Sequence, residues 1–195
     1  MLTREQVQIS RKLSLILRHK PEVWELTLDA EGYVKISDLL KAAEKQRVKL
    51  TRETLREIVE QNDKKRFVWV TSPHGLNDKI RAAQGHSVPV RLGLPSSVPP
   101  SVLYHGTTQQ AWESIKREGI LREKRQQVHL SADVETALSV GRRHGIPLIL
   151  AIDTAKVREL GGDFFLAENG VWLIDMVPPQ ALSVAREGFE KRKDG

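Results

Sequence analysis

The chain has 195 residues and a mass of 22.1 kDa, enough to bury the core of one large domain or of two small lobes. Hydrophobic residues at 39% and charged residues at 29% exclude a disordered polar chain, and the absence of cysteine excludes disulfides, thiolate nucleophiles and thiolate-rich zinc sites. A formal charge of +6 and a pI of 9.6 suit an anionic partner, nucleic acid or a phosphorylated substrate, although a solvated basic face has the same composition.

No apolar run approaches the roughly 20 residues a membrane helix needs, and Met1-Leu2-Thr3-Arg4-Glu5 lacks a signal-peptide core. A cytoplasmic protein is the expectation. Thr3 with Gln6 has the form of a capping box, and Ile9, Leu13, Ile16 and Leu17 recur at helical spacing until Pro21 forbids continuation. The first helix is therefore predicted to end at Leu17-Arg18-His19-Lys20. After the Gly32 turn, Tyr33-Val34-Lys35-Ile36 predicts a short strand, with Ser37 capping a helix through Leu39, Leu40 and Ala43. Thr51 caps a third helix, in which Leu50 and Leu55 form a hydrophobic staple and Ile58 and Val59 continue the buried stripe. Phe67-Val68-Trp69-Val70 and Lys79-Ile80-Arg81-Ala82 form a hairpin across the turn residues 71–78. Three helices and a hairpin suggest a winged-helix-like lobe over residues 1–90.

Residues 91–101, with Pro95, Pro99 and Pro100 among serines, are read as a linker. Beyond it the predicted elements alternate. Val102-Leu103-Tyr104-His105 is a strand, Gln110 to Glu118 a helix ended by Gly119, and Val128-His129-Leu130 a strand running into a Ser131-capped helix. Leu148 to Ile152, Asp163 to Ala167 and Val171 to Ile174 add three short strands. Residues 102–186 thus form a mixed second lobe and 187–195 a terminal tail, giving an α+β chain overall.

Neither a Gly-x-Gly-x-x-Gly fingerprint nor a P-loop string occurs, and the histidines at 19, 74, 86, 105, 129 and 144 lack His-Glu-x-x-His spacing. A Rossmann redox enzyme, a P-loop nucleotidase and a zinc hydrolase of that type are therefore not indicated, and no metal is expected. What stands out is a set of strings: Leu17-Arg18-His19, Ile80-Arg81-Ala82-Ala83-Gln84-Gly85-His86-Ser87, Leu103-Tyr104-His105-Gly106-Thr107, Val128-His129-Leu130-Ser131, Gly141-Arg142-Arg143-His144-Gly145 and Asn169-Gly170-Val171-Trp172-Leu173. In this order, across nearly the whole chain from Ile9 to about Val184, they resemble the KptA-type RNA 2′-phosphotransferase family.

That resemblance implies a two-step reaction in which NAD is consumed. The RNA 2′-phosphate attacks the anomeric carbon of the nicotinamide ribose and nicotinamide leaves; the ribose 2″-hydroxyl then attacks phosphorus, releasing 2′-hydroxyl RNA and ADP-ribose 1″,2″-cyclic phosphate. Such a phosphate calls for forked, permanently charged donors. The resemblance assigns catalysis and phosphate handling to Arg18, Arg81 and Arg143, with Arg142 as the alternative to Arg143, and adds His19 as a catalytic group. Arg18 and His19 also suit a helix C-terminus on electrostatic grounds alone. An imidazole near neutrality suits proton transfer at the 2′-oxygen, and acid, base and hydrogen-bond donor all remain open for His19. Gln84, His86 and Ser87 join the phosphate-binding set, since Gly85 permits close backbone approach.

By the same resemblance the second lobe has the ADP-ribosyltransferase-like split β-sheet, with His105, Gly106, Thr107, His129 and Ser131 binding NAD. Val171 stands where many protein-modifying relatives of that fold carry glutamate, which suits an anionic nucleophile that needs no carboxylate. Glu168 is left unassigned. The implied partners are NAD and an RNA bearing an internal 2′-phosphate, tRNA-like by analogy, acted on by a monomer. Two other functions stay open: an ADP-ribosyltransferase that stops after the first step, and a winged-helix nucleic-acid-binding regulator without catalysis.

Overall fold

The computed structural model describes residues 1–143 and 145–187; His144, part of one of the strings above, and nearly all of the 187–195 tail lie outside the described residues. The arrangement is α+β, with short antiparallel sheets between helices, and the chain divides into two compact units, Met1–Gly93 and Leu94–Gly195. Among the described residues no helix is long and apolar enough to cross a membrane.

In the first unit, helix α1 (Arg4–Arg18) starts from the predicted capping box: Gln6 N–H donates to Thr3 Oγ1 at 3.2 Å while Thr3 N–H donates to Gln6 Oε1 at 2.8 Å. Its buried stripe of Ile9, Leu13, Ile16 and Leu17 faces the core, and His19 is the C-cap, after which Pro21–Trp24 makes a 3₁₀ turn. Strand β1 (Val34–Lys35) leads directly into α2 (Ile36–Lys45), then come α3 (Arg52–Glu60), β2 (Phe67–Val70) and β3 (Lys79–Ala82). Ser37 does not cap α2. The helix begins two residues earlier than such a cap would set, at fully buried Ile36 with Lys35 as N-cap; Ile36 N–H donates to Asp78 O at 2.9 Å, so the backbone beside the sheet rather than a side chain satisfies that end.

The strand order is β1-β3-β2, with Ile80 opposite Val34 on one side and Trp69 on the other. Asp78 fixes the β2–β3 turn by accepting from Ser72 N–H at 2.8 Å and Trp69 Nε1–H at 2.9 Å while pairing with Arg52. The Ser72 hydrogen bond does most to hold its carboxyl below the usual carboxylate range, against the opposing effect of burial.

In the second unit, β4 (Val102–Thr108) is followed by α4 (Gln109–Glu118), β5 (Ile120–Leu121), β6 (Val128–Leu130), α5 (Val134–Gly141), β7 (Pro147–Asp153), α6 (Thr154–Glu159), β8 (Phe165–Leu166), β9 (Trp172–Ile174), β10 (Met176–Val177) and β11 (Leu182–Glu187). These make two three-stranded antiparallel sheets, β11-β7-β4 and β6-β9-β8, and a pair β10-β5. Ser131 is not the cap of α5. Its backbone exchanges two 2.8 Å hydrogen bonds with Tyr104, which keeps it extended, and Asp133 caps the helix by accepting from Thr136 N–H at 2.7 Å.

Helix α5 lies directly on the backbone of β4 at Gly106. A Cβ there would stand 1.9 Å from Ala137 O and 2.9 Å from Gly141 N, distances no side-chain adjustment relieves. Gly106→Ala should therefore destabilise the protein by about 1–3 kcal/mol or more, because α5 must lift off the sheet. Urea unfolding of the two proteins measures this, and an unchanged midpoint would mean that α5 is not seated as described.

Candidate active site

The first unit carries all of the predicted phosphate-handling residues except Arg143, which belongs to the second unit, and Ser87 meets Arg18 at the end of α1. Ser87 N–H donates to Arg18 O at 2.9 Å, so the open end of the helix is closed by the Gln84–Ser87 turn, which Gly85 enters at φ +88°. Side chains repeat the tie, with His19 Nδ1 and Ser87 Oγ sharing a hydrogen bond at 2.9 Å. Arg18 is half-buried, and His19 and Ser87 are exposed, so the histidine ring is oriented without being enclosed. Gln84 is half-buried beside them in sequence.

Arg81 reaches the same neighbourhood from β3 and is only 2% exposed. Its Nη1 donates to Leu92 O at 3.1 Å and to Glu31 O at 3.4 Å, and its Cζ lies 4.8 Å from the centroid of the Tyr33 ring. His86 is equally enclosed at 2%, and its buried Nε2 has no hydrogen-bond partner among the described residues. Burial, then the positive charges of Arg18, Arg81 and His19, lower its pKa from 6.5 to about 4. All three cations are thus near enough to His86 for their fields to act on it, and the ring is neutral wherever the pH exceeds about 4.

In the second unit, His105 Nδ1 lies 3.1 Å from His129 O, and Arg125 Nη1 lies 2.7 Å from His129 Nδ1. These contacts fix tautomers. A guanidinium only donates, so His129 Nδ1 is the acceptor and its ring proton sits on Nε2. A carbonyl only accepts, so His105 Nδ1 carries a proton; burial first and Arg125 second hold the His105 pKa below its ordinary value, against the His129 carbonyl and Glu123, which raise it. In its neutral form His105 therefore has its acceptor at Nε2, and neutral His129 carries its ring proton on Nε2. Thr107 is buried next to Gly106, and Ser131 is held by the Tyr104 backbone. Arg143 follows α5, exposed, with its N–H on Val140 O at 3.2 Å, and neighbouring Arg142 is exposed as well. Glu168 is exposed in the β8–β9 turn, where Asn169 Oδ1 accepts from Val171 N–H at 3.3 Å. Sequence reasoning passed over Arg125 and Tyr33; the four-residue interval from Arg125 to His129 was the signal for the first, and the aromatic after the Gly32 turn for the second.

Charge is divided unequally. Met1–Gly93 holds 18 Lys and Arg against 12 Asp and Glu, whereas Leu94–Gly195 holds 13 of each, so the whole +6 belongs to the first unit. Among the described residues no cluster of three or more His, Cys, Asp or Glu is arranged to hold a metal ion.

Comparison with known proteins gives a consistent picture. The family model described as RNA 2'-phosphotransferase, Tpt1 / KptA family matches residues 4–176. A probable RNA 2'-phosphotransferase of Agrobacterium fabrum is 48% identical over 178 residues, covering 91% of this chain and 94% of its own length. Its counterpart in Flavobacterium johnsoniae is 45% identical over 172 residues, 88% and 92% of the two chains. Another in Pseudomonas savastanoi pv. phaseolicola is 42% identical over 187 residues, 95% and 97%.

The neutral state of His86 has a measurable consequence. Its folded pKa of about 4 lies below the unfolded value of 6.5, so the unfolded chain takes up a proton that the folded chain refuses between those two pH values. Stability contributed by this group is complete above pH 6.5 and is lost as the pH falls towards 4, by about 3 kcal/mol in all. Urea unfolding at several pH values should show a shallower acid slope for His86→Gln than for the wild type. Parallel slopes would show that His86 is not buried neutral.

Proposed function

The chain belongs to the RNA 2'-phosphotransferase, Tpt1 / KptA family, and from that premise we propose that it is an NAD-consuming transferase that strips an internal 2′-phosphate from RNA. The observation that carries the reading is the grouping of Arg18, His19, Arg81, His86 and Ser87 in one neighbourhood of the basic first unit. On this reading the first unit, a winged-helix-like lobe, binds RNA and phosphate. The second, an ADP-ribosyltransferase-like lobe, holds NAD as a co-substrate. The side chains suit that dinucleotide: His105 and His129 bring ring nitrogens whose directions are fixed by their neighbours, and Arg125, 2.7 Å from His129 Nδ1, adds positive charge for its phosphates.

In the first step an oxygen of the 2′-phosphate forms a bond to the anomeric carbon of the nicotinamide ribose, and the glycosidic C–N bond breaks with its electron pair leaving on nicotinamide. Arg18 and Arg81 bind the phosphate, assisted by Gln84, His86 and Ser87. His86 contributes hydrogen bonding rather than charge, because it is neutral. In the second step the 2″-hydroxyl oxygen attacks phosphorus and gives up its proton, the P–O bond to the RNA 2′-oxygen breaks, and that oxygen takes up a proton in its place. His19, oriented through Nδ1 by Ser87, moves that proton, and Arg143 stabilises charge on the phosphoryl oxygens as it builds.

Incubation with NAD and a 2′-phosphorylated oligonucleotide tests the reading. Release of nicotinamide with ADP-ribose 1″,2″-cyclic phosphate supports it, a stable ADP-ribosylated RNA assigns a transferase that stops after the first step, and no nicotinamide at all returns the chain to a nucleic-acid-binding role. Arg143→Ala should slow the second step by about 100-fold, more than the first, so that ADP-ribosylated RNA accumulates. Normal turnover without the intermediate would remove Arg143 from the reaction.

A further inference from the structure

Helix α1 carries a second pattern on the side away from the core. Arg4, Arg11 and Arg18 recur every seven residues, so each falls within about 20° of the one before it around the helix. At 1.5 Å of rise per residue they stand about 10.5 Å apart along the axis. The buried Ile9, Leu13 and Ile16 occupy the opposite side, and Arg4 and Arg11 are exposed while Arg18 is half-buried. Exposed Val7, Gln8 and Leu15 fill the intervals. Glu5, the one acid of the helix, points about 100° away from Arg4.

Helix stability does not account for the two exposed cations. Arg4 stands in the first turn, where the positive end of the helix dipole disfavours a cation. The helix residues three and four away from Arg4 and Arg11 are Val7, Gln8, Ser14 and Leu15, none of them acidic, so no pair along the helix offsets either charge. Among the described residues neither arginine forms an ion pair, whereas Lys45, Arg52 and Lys79 of the same unit each do.

We propose that this face of α1 is a track for the RNA strand that adjoins the 2′-phosphorylated nucleotide, with Arg11 and then Arg4 meeting backbone phosphates at increasing distance from Arg18. The inference rests on the reading that Arg18 binds the 2′-phosphate. The sign of the charge, its excess in the first unit and the continuity of the row with Arg18 all favour a phosphate backbone as the occupant. A stacked strand advances about 3.4 Å per nucleotide, so Arg11 meets it about three nucleotides from Arg18, and Arg4 about six.

Fluorescence anisotropy with 2′-phosphorylated RNA and the full chain tests it. The RNA is lengthened from about three to about twelve nucleotides, on the 5′ side of the modified nucleotide in one series and on the 3′ side in the other. In one series affinity should rise until about six nucleotides have been added and then level off. Arg4→Gln/Arg11→Gln, which keeps good helix formers, should weaken binding of the longest RNA of that series by about tenfold or more and reduce its salt slope by about 1.4, while the shortest RNA binds as before. Arg4→Lys/Arg11→Lys should restore both quantities, and removing the same charge at exposed Lys41 and Lys49 should change affinity by less than about threefold. Affinity independent of length in both series, equal losses for short and long RNA, or an equal loss from Lys41→Gln/Lys49→Gln would overturn the track. If Arg18→Gln weakens binding of the shortest RNA and added length gains nothing, the inference alone fails; if Arg18→Gln binds that RNA as the wild type does, the phosphate-binding reading of Arg18 fails first.

Discussion

Arg81 carries a permanent charge into a position where 2% of its surface meets solvent, and much of the first unit is arranged around holding it there. A guanidinium so enclosed must have its donors met and its faces covered, since an ion taken from water without compensation costs several kcal/mol. Part of this demand is met from two separate stretches of the chain. Leu92 and Glu31 supply carbonyls, Tyr33 supplies a face, and Asp29 ties the Tyr33 turn back to Lys79 on the strand that carries Arg81. The end of α1 joins the same neighbourhood through the bond from Ser87 N–H to Arg18 O, which brings Arg18 and His19 towards His86 without any side chain having to make the connection.

The second unit solves a different problem, close approach. Glycine at position 106 lets α5 lie against β4 at backbone distance, and Tyr104 and Ser131 exchange two main-chain bonds close by. With the backbones so near, His105 meets His129 O rather than water, and the tautomer of each ring is dictated by what its Nδ1 touches. The result is a set of neutral groups whose donor and acceptor directions are fixed by packing.

Local signals in the sequence were read correctly where the cause was local. Thr3 with Gln6, Thr51, Pro21 and Gly119 act within a turn of their own position, and the elements they bound are found there. Ser37 and Ser131 failed as caps for one shared reason: each adjoins a residue already committed to a tertiary hydrogen bond, Ile36 to Asp78 O or Ser131 itself to Tyr104, and no local pattern records that. The short strands β5 and β10 pair across more than 50 residues, Ile120 with Val177, and two-residue strands carry no alternation to detect. The enclosure of His86 and the approach of Arg81 to the Tyr33 ring were illegible for the same cause, since a Gly-His-Ser string reads as a turn and 48 residues separate the ring from the guanidinium.

The division of charge between the units follows from what each kind of group does best. A phosphate is held most firmly by charge that never titrates, and in the first unit the arginines supply it while His86, adjacent to them, stays neutral down to about pH 4. The permanent part of the field at that neighbourhood is then set by guanidinium groups. A phosphate monoester gains its second negative charge near pH 6. Electrostatic attraction to such a substrate therefore strengthens through a pH range in which the guanidinium charge is constant.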